Sequence, residues 1–380
     1  MHWNRRDEVM KKRYRGTAVL LAGVMLLAGC SSQNVPESSQ AAQETSAEPE
    51  ITSEQEKLGR IQPSAYNNVN GLNLEPGSYI SVLGRSESGA YWDEVQAGMD
   101  QAIEDINTAL GYEGGDRVRA TYNAAAVSDD VDEQVNILDE ELARYPVAVG
   151  IALSDANACE VQFDLAAENG IPVVAFDSGS DYQGLMATVG TDNDASAREA
   201  AGKMAEELGE SGEVLILVDN SKAKADTVRE SAFRDEIQNQ YPGITIAGSC
   251  YMDQWADAGE ETDPVQEILT QYPNITGIFA TSSDAVLMAL EAADAMGDAD
   301  TGAEAPVIMG YDAEEEEVSA LEDGRISGLI VQNPYGMGYA TIVAAARAAL
   351  AQGNEAVVNT GYLWVDAENI DSDEAQRLLY

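Results

Sequence analysis

Ile171-Pro172-Val173-Val174-Ala175-Phe176-Asp177-Ser178 is the stretch whose reading decides the fold. Pro172–Phe176 is a short, unbroken apolar run, β-branched and aromatic in its middle, and a carboxylate ends it. Such a run reads as a strand covered on both faces, because a half-exposed strand would alternate polar and apolar residues. Runs of the same kind recur at Tyr79–Leu83, Arg117–Tyr122, Val147–Ala152, Glu213–Val218, Ile244–Ala247, Gly277–Ala280, Pro306–Met309 and Gly328–Val331. Amphipathic stretches separate most of them. In the first, Trp92, Val95, Met99, Ile103, Ile106 and Leu110 recur at helical spacing. Tyr335–Leu350 is a second, with Ile342, Val343, Ala346 and Leu350 on one face.

Strand, helix and strand in repetition predict an α/β fold of doubly wound parallel sheets with helices on both faces. About 300 residues of this pattern exceed one ordinary sheet, so two lobes are expected. Ligands of such sheets bind beyond the carboxyl ends of the strands. Glu87, Tyr91 and Trp92 follow Leu83, and Ser154, Asp155 and Asn157 follow Ala152. Asp177 follows Phe176, and Asp219 follows Val218. Ser282 follows Ala280, Asp312 follows Met309, and Gln332 follows Val331. Carboxylates, amides and aromatic rings suit a neutral polyhydroxylated ligand. Carboxylates accept from adjacent hydroxyls, and a ring stacks on the C–H face of a sugar. No GxxxxGK[ST] occurs, and no GxGxxG follows a strand, so no phosphate cradle is present. Asp155 and Asp284 also suit a plain helix-capping role.

Composition removes other classes. The chain has 21 basic and 67 acidic residues, a formal charge of −46. Six of the basic and two of the acidic residues precede Cys30, so the remainder carries 15 against 65, or −50. That surface repels phosphate backbones, and no nucleic-acid partner is expected. The only histidine is His2, so the exported part lacks Ser-His and Cys-His catalytic pairs and histidine metal ligands. Cys159 and Cys250 are far apart and read as buried and inert. No metal and no cofactor is expected. The acidic turn Asp298-Ala299-Asp300-Thr301-Gly302 has too few clustered oxygens for calcium.

The first 29 residues read as a secretory signal. A basic stretch, Lys11-Lys12-Arg13-Tyr14-Arg15, precedes an apolar run from Thr17 to Ala28, which is short for a membrane span. Leu27-Ala28-Gly29-Cys30 resembles the lipobox of bacterial lipoproteins, which implies lipidation of Cys30 and a location outside the cytoplasm, at the outer face of the membrane or in the periplasm. Residues 30–76 read as a disordered acidic tether, with Leu58, Ile61, Tyr66, Leu72 and Leu74 able to dock its far part on the body.

From Tyr79 to Val365 the order of segments resembles the periplasmic sugar-binding proteins of the ribose/galactose type, the solute-binding subunits of ABC importers. Carrying the resemblance are Gly89-Ala90-Tyr91-Trp92, Ile171–Ser178, Val189-Gly190-Thr191-Asp192-Asn193, Arg229-Glu230-Ser231-Ala232-Phe233, Tyr272–Ala280, Met309–Ala313 and Gln332–Gly338. It implies a type I periplasmic binding protein fold with three hinge crossings, near Thr191, Gln332 and Gly361. One lobe would comprise residues 77–191 and 333–360, the other 192–332 and 361–380. The implied ligand contacts are Tyr91, Trp92, Asp177, Arg229, Trp255, Ser282, Asp312 and Gln332. Trp92 and Trp255 either stack on the ligand or pack in the core. The chain departs from the ribose pattern at Ser178, where an Arg is usual, and at Ala152 and Ser282, where Asn is usual. The resemblance implies a monomeric, non-enzymatic receptor that captures a monosaccharide-like solute and delivers it to a permease. Presentation of the ligand to a sensor kinase or chemoreceptor is the alternative, and an exported glycosidase using Asp177 and Asp312 is a third reading.

Overall fold

In a computed structural model of the chain, residues 52–258, 263–298 and 305–380 are described. The signal segment, Cys30, the first part of the tether and the acidic turn at 299–302 lie outside the described residues.

Twelve strands are described: β1 Tyr79–Leu83, β2 Arg119–Asn123, β3 Ala148–Ile151, β4 Val173–Phe176, β5 Thr188–Gly190, β6 Gly212–Val218, β7 Ile244–Tyr251, β8 Gly277–Ala280, β9 Val307–Tyr311, β10 Gly328–Val331, β11 Val357–Asn359 and β12 Leu363–Val365. They form two six-stranded sheets, ordered β11-β5-β4-β3-β1-β2 and β12-β10-β9-β8-β6-β7. The first sheet is wholly parallel. The second is parallel except for β12, which runs antiparallel to β10. All nine predicted strands are present. β5, β11 and β12 were not predicted, because three residues each is too short a run to stand out.

The helices are α1 Ser53–Gly59, α2 Ala90–Leu110, α3 Val131–Leu142, α4 Glu160–Glu168, α5 Asn193–Glu207, α6 Lys224–Gln240, α7 Met252–Ala258, α8 Pro264–Gln271, α9 Ser283–Asp298, α10 Glu315–Glu322, α11 Pro334–Ala349 and α12 Asp373–Gln376. The chain passes from the first sheet to the second after β5, returns after β10, and crosses again between β11 and β12. Each sheet turns its strand order at a switch point, between β1 and β3 in one and between β6 and β8 in the other. Ligand crevices of open α/β sheets lie at such points.

α11 departs from the one-faced helix expected. Every residue from Pro334 to Ala346 is buried. One side packs on the first sheet, another on α2, and the remaining side is covered by the segment from 52 to 76. That segment corrects the expectation of a disordered tether reaching to 76. Thr52 and Gln55 close a capping box that starts α1, and Ile61, Tyr66, Leu72 and Leu74 are buried in the core of the first lobe. These are the residues expected to dock the far part of the segment on the body, and Leu58 packs against the same cluster; α1 was not expected, because Ser53–Gly59 is too short a stretch to show a helical period. The segment also touches the crossings. Gln62 pairs with Asn359 through backbone bonds of 2.7 and 2.9 Å, and Asn333 Nδ2 donates to Lys57 O at 2.7 Å.

The candidate site in the cleft

Strand ends from both sheets converge on a cavity of about 300 Å³, within the ordinary range for small-molecule sites. Of the eight predicted contacts, Tyr91, Trp92, Asp177, Arg229, Ser282, Asp312 and Gln332 line it. Trp255 does not, which corrects the expectation of a second closing ring. α7 starts directly after β7 and carries Trp255 outward. Its indole N–H donates to Glu267 Oε2 at 3.0 Å, and the ring packs with the apolar cluster under α8 and α9. Asp155 is also spent locally, since its Oδ1 accepts from Asn157 N at 2.8 Å in a turn.

Two aspartates face each other from opposite lobes. Asp177 follows β4 with φ 56° and Asp312 follows β9 with φ 81°, both left-handed. Asp tolerates that region better than most residues, and strained backbone concentrates at functional sites. Asp177 Oδ1 accepts from Tyr91 OH at 2.7 Å. Asp312 Oδ1 accepts from Gln332 Nε2 at 2.7 Å and from Tyr380 OH at 2.8 Å. In each case one oxygen is held by the protein while Oδ2 takes part in none of these bonds. Burial raises the Tyr91 phenol well above its ordinary pKa, and the nearby Asp177 raises it further, so it stays a donor. Burial also pushes Asp177 up against the opposing charge of Arg85.

Arg229 is anchored on three sides. Nε donates to Asn193 Oδ1 at 2.8 Å, Nη1 to Thr281 O at 2.7 Å and Nη2 to Gln332 Oε1 at 2.9 Å. The guanidinium lies 3.9 Å over the Tyr311 ring. Gln332 Oε1 also accepts from Thr191 Oγ1 at 2.8 Å. One amide therefore joins the first crossing, the second crossing, Arg229 and Asp312. Trp92 is half-buried and serves both readings left open for it. Its ring lines the cavity, and it also packs 6.3 Å from Phe176 and 6.3 Å from Tyr122.

Arg85 is the main residue that sequence reasoning missed. It follows β1 at the first switch point and enters the cavity. It donates to Asp129 through Nε at 2.7 Å and Nη2 at 2.6 Å, a bidentate pair. Burial pushes Asp129 up, but the Arg85 charge and its two hydrogen bonds overcome this and hold the carboxyl below its ordinary range. The same guanidinium reaches 3.9 Å from Asp177, 3.8 Å from Asp219 and 3.7 Å from Asp226. Where the ribose pattern has an Arg after the fourth-strand Asp, this chain has Ser178, and a guanidinium stands beside Asp177 from β1 instead. The polar rim closes with contacts between lobes: Asn220 Nδ2 donates to Ser154 O at 3.0 Å, and Lys224 pairs with Asp181 at 2.9 Å.

The acid-rich cleft has a stability consequence. Burial, and then the Asp312 charge, push Glu317 up to about 8. Burial also raises Asp219 and Asp226, each buried near the other. An acid whose pKa rises on folding binds its proton more tightly in the native state. Its contribution is full below its ordinary pKa and is lost as pH rises through the raised one. The melting temperature of the ligand-free chain therefore falls between about pH 4.5 and pH 8, by about 5 °C or more. Calorimetric scans across that range check it, and Glu317→Gln should flatten the slope. A melting temperature that rises with pH would contradict this electrostatic picture.

Residues 80–355 match the periplasmic binding protein domain family, and the chain belongs to that family. The ribose import binding protein of Bacillus subtilis is 23% identical over 206 residues, 54% of this chain and 64% of that protein. The chain thus spans just under two thirds of that relative's length. A xylitol-binding protein of Mycolicibacterium smegmatis is 23% identical over 261 residues, 67% of this chain and 72% of its own. Among solved structures, a carbohydrate transporter solute binding protein from Agrobacterium radiobacter, in complex with D-arabinose, superposes with a TM-score of 0.68 at 26% identity. It covers 80% of this chain and 99% of its own. An ABC transporter solute binding protein from Agrobacterium vitis with bound D-fucose gives 0.69 at 25% identity, covering 80% and 100%. Each of these relatives is a binding protein by name.

Proposed function

We propose that this chain is a lipid-anchored extracytoplasmic receptor that captures a monosaccharide-like solute between its lobes and delivers it to an ABC importer. The observation that carries the reading is the pairing of Asp177 and Asp312. They project from opposite sheets into one cavity, beside Arg229 and the Trp92 ring. Each carboxylate accepts hydrogen bonds from hydroxyls on its Oδ2, Arg229 donates to ring or hydroxyl oxygens, and Trp92 covers an apolar C–H face. The named ligands of the relatives, ribose, xylitol, D-arabinose and D-fucose, are all small polyhydroxylated molecules, which supports the assignment.

Residues 77–191 with 333–360 and residues 192–332 with 361–380 move as two bodies about the three crossings. Solute touches both only when they close, so binding favours the closed form. The closed form then docks on the permease, and lipidation at Cys30 keeps the protein beside it. Calorimetric titration of the chain with pentoses, hexoses and polyols tests the reading. One saturable site per chain with micromolar or tighter affinity is expected for at least one of them. Saturable binding of nucleosides or amino acids, with none of any sugar or polyol, would overturn it.

A further inference from the structure

The turn from β6 into α6 leaves the second sheet and bonds to the loops that follow β3 and β4 of the first sheet. Asn220 Nδ2 donates to Ser154 O at 3.0 Å, and Ala156 N donates to Lys222 O at 3.1 Å. Ala225 N, in the first turn of α6, donates to Ser178 Oγ at 3.4 Å. Lys224 Nζ reaches both carboxylate oxygens of Asp181, at 3.0 and 2.9 Å. Asn220, Ser154 and Ser178 are buried. None of these partners lines the cavity of about 300 Å³ that gathers the predicted contacts.

The Asn220 amide works in two directions. Its Oδ1 accepts from Lys222 N at 2.9 Å and from Ala223 N at 3.3 Å, which fixes the turn. Its Nδ2 is left to cross to Ser154. α6 follows Ala223, which has no side-chain cap to offer. The first turn of a helix carries N–H groups that need an acceptor from elsewhere, and Ser178 of the other lobe supplies one. Moving the lobes apart breaks all of these bonds, and closing them again restores them whatever the solute is. The Lys224–Asp181 pair is exposed on both sides and adds little. Each of the buried bonds is worth about a factor of five in the balance between open and closed forms.

We propose that Asn220 and Ser178 are positioning residues that set the affinity for every solute by clasping the two lobes together, without touching the solute. The proposal rests on the capture reading above and deepens it. It separates two tasks: Asp177, Asp312 and Arg229 choose the solute, and the clasp sets how tightly any chosen solute is kept. The link is arithmetic, because the apparent dissociation constant is the intrinsic one divided by the fraction of chain in the competent, closed form.

Two variants test it. Asn220→Asp keeps an oxygen for Lys222 N and Ala223 N and removes the donor to Ser154. Ser178→Ala removes the acceptor of Ala225 N, and it carries the test alone should the first variant fail to fold. Each folded chain is titrated with the same pentoses, hexoses and polyols as the parent, and its radius of gyration is measured by small-angle X-ray scattering with and without sugar. Each variant is expected to bind every solute about fivefold more weakly, by one common factor, because the closed fraction falls. Without sugar it is expected to be more open than the parent, and at saturation to have the same radius. Undiminished affinity in the folded variants would overturn the proposal. A loss that differs from solute to solute would also overturn it, by seating these residues at the solute. Should no sugar or polyol bind the parent, the capture reading fails and the sugar-free scattering decides alone: variants no more open than the parent would overturn the clasp, and more open ones would uphold it.

Discussion

Asp312→Asn lowers sugar affinity by about 100-fold while leaving the fold intact. The magnitude follows from the bond type. A carboxylate accepting from hydroxyls makes charge-assisted bonds worth about 1.5–3 kcal/mol each, and each 1.4 kcal/mol is a factor of ten. The fold survives because Asn, like Asp, tolerates the left-handed backbone found at this position, where φ is 81°. The remaining amide oxygen still accepts from Gln332 and Tyr380, which bond Asp312 Oδ1 at 2.7 and 2.8 Å. Asp312→Ala is the poorer probe, since it adds backbone strain and strips both donors of their acceptor. Calorimetry checks the affinity, and a melting scan checks that the variant is folded. A folded Asp312→Asn chain with undiminished affinity would remove Asp312 from the site.

Gly338→Ala and Gly98→Ala destabilise the chain by about 3 kcal/mol each, although helix propensity alone predicts a gain of about 1 kcal/mol. Both glycines stand where α2 and α11 cross. A Cβ at Gly98 would lie 1.9 Å from Tyr335 O, and one at Gly338 would lie 1.9 Å from Val95 O. These obstacles are backbone carbonyls and cannot rotate aside, so one helix must move away from the other. α11 is buried on all sides, so its displacement also opens gaps against the first sheet. The expected loss of melting temperature is about 4–5 °C for a folded body of this size. An unchanged or higher melting temperature would show that the two helices are not in backbone contact.

The long strands were legible because a sheet covered on both faces demands unbroken apolar runs, and Tyr79–Leu83, Gly277–Ala280 and Gly328–Val331 match their observed bounds to the residue. The site was legible where a side chain follows such a run directly, as Asp177 follows Phe176 and Gln332 follows Val331. It was not legible where the decisive neighbour is remote in sequence. Arg85, in Gly84-Arg85-Ser86-Glu87, reads as an ordinary surface loop until Asp129 is set beside it. Asp226 reads as a solvated helix residue until α6 turns it inward toward Thr281. Tyr380 reads as a tail, yet its hydroxyl braces Asp312 and its ring meets Tyr91 edge-on at 5.8 Å. Trp255 failed for the opposite reason. Its position along the chain suited the cleft, but the early start of α7 turned the ring away.

The most direct test of capture between the lobes is a crystal structure of the chain with the sugar or polyol that titrates most tightly. The account predicts one molecule in the cleft, hydrogen-bonded to Asp177 of one lobe and to Asp312 and Arg229 of the other, with Trp92 against its C–H face. A solute bound to one lobe alone, or seated away from Asp177 and Asp312, would contradict it.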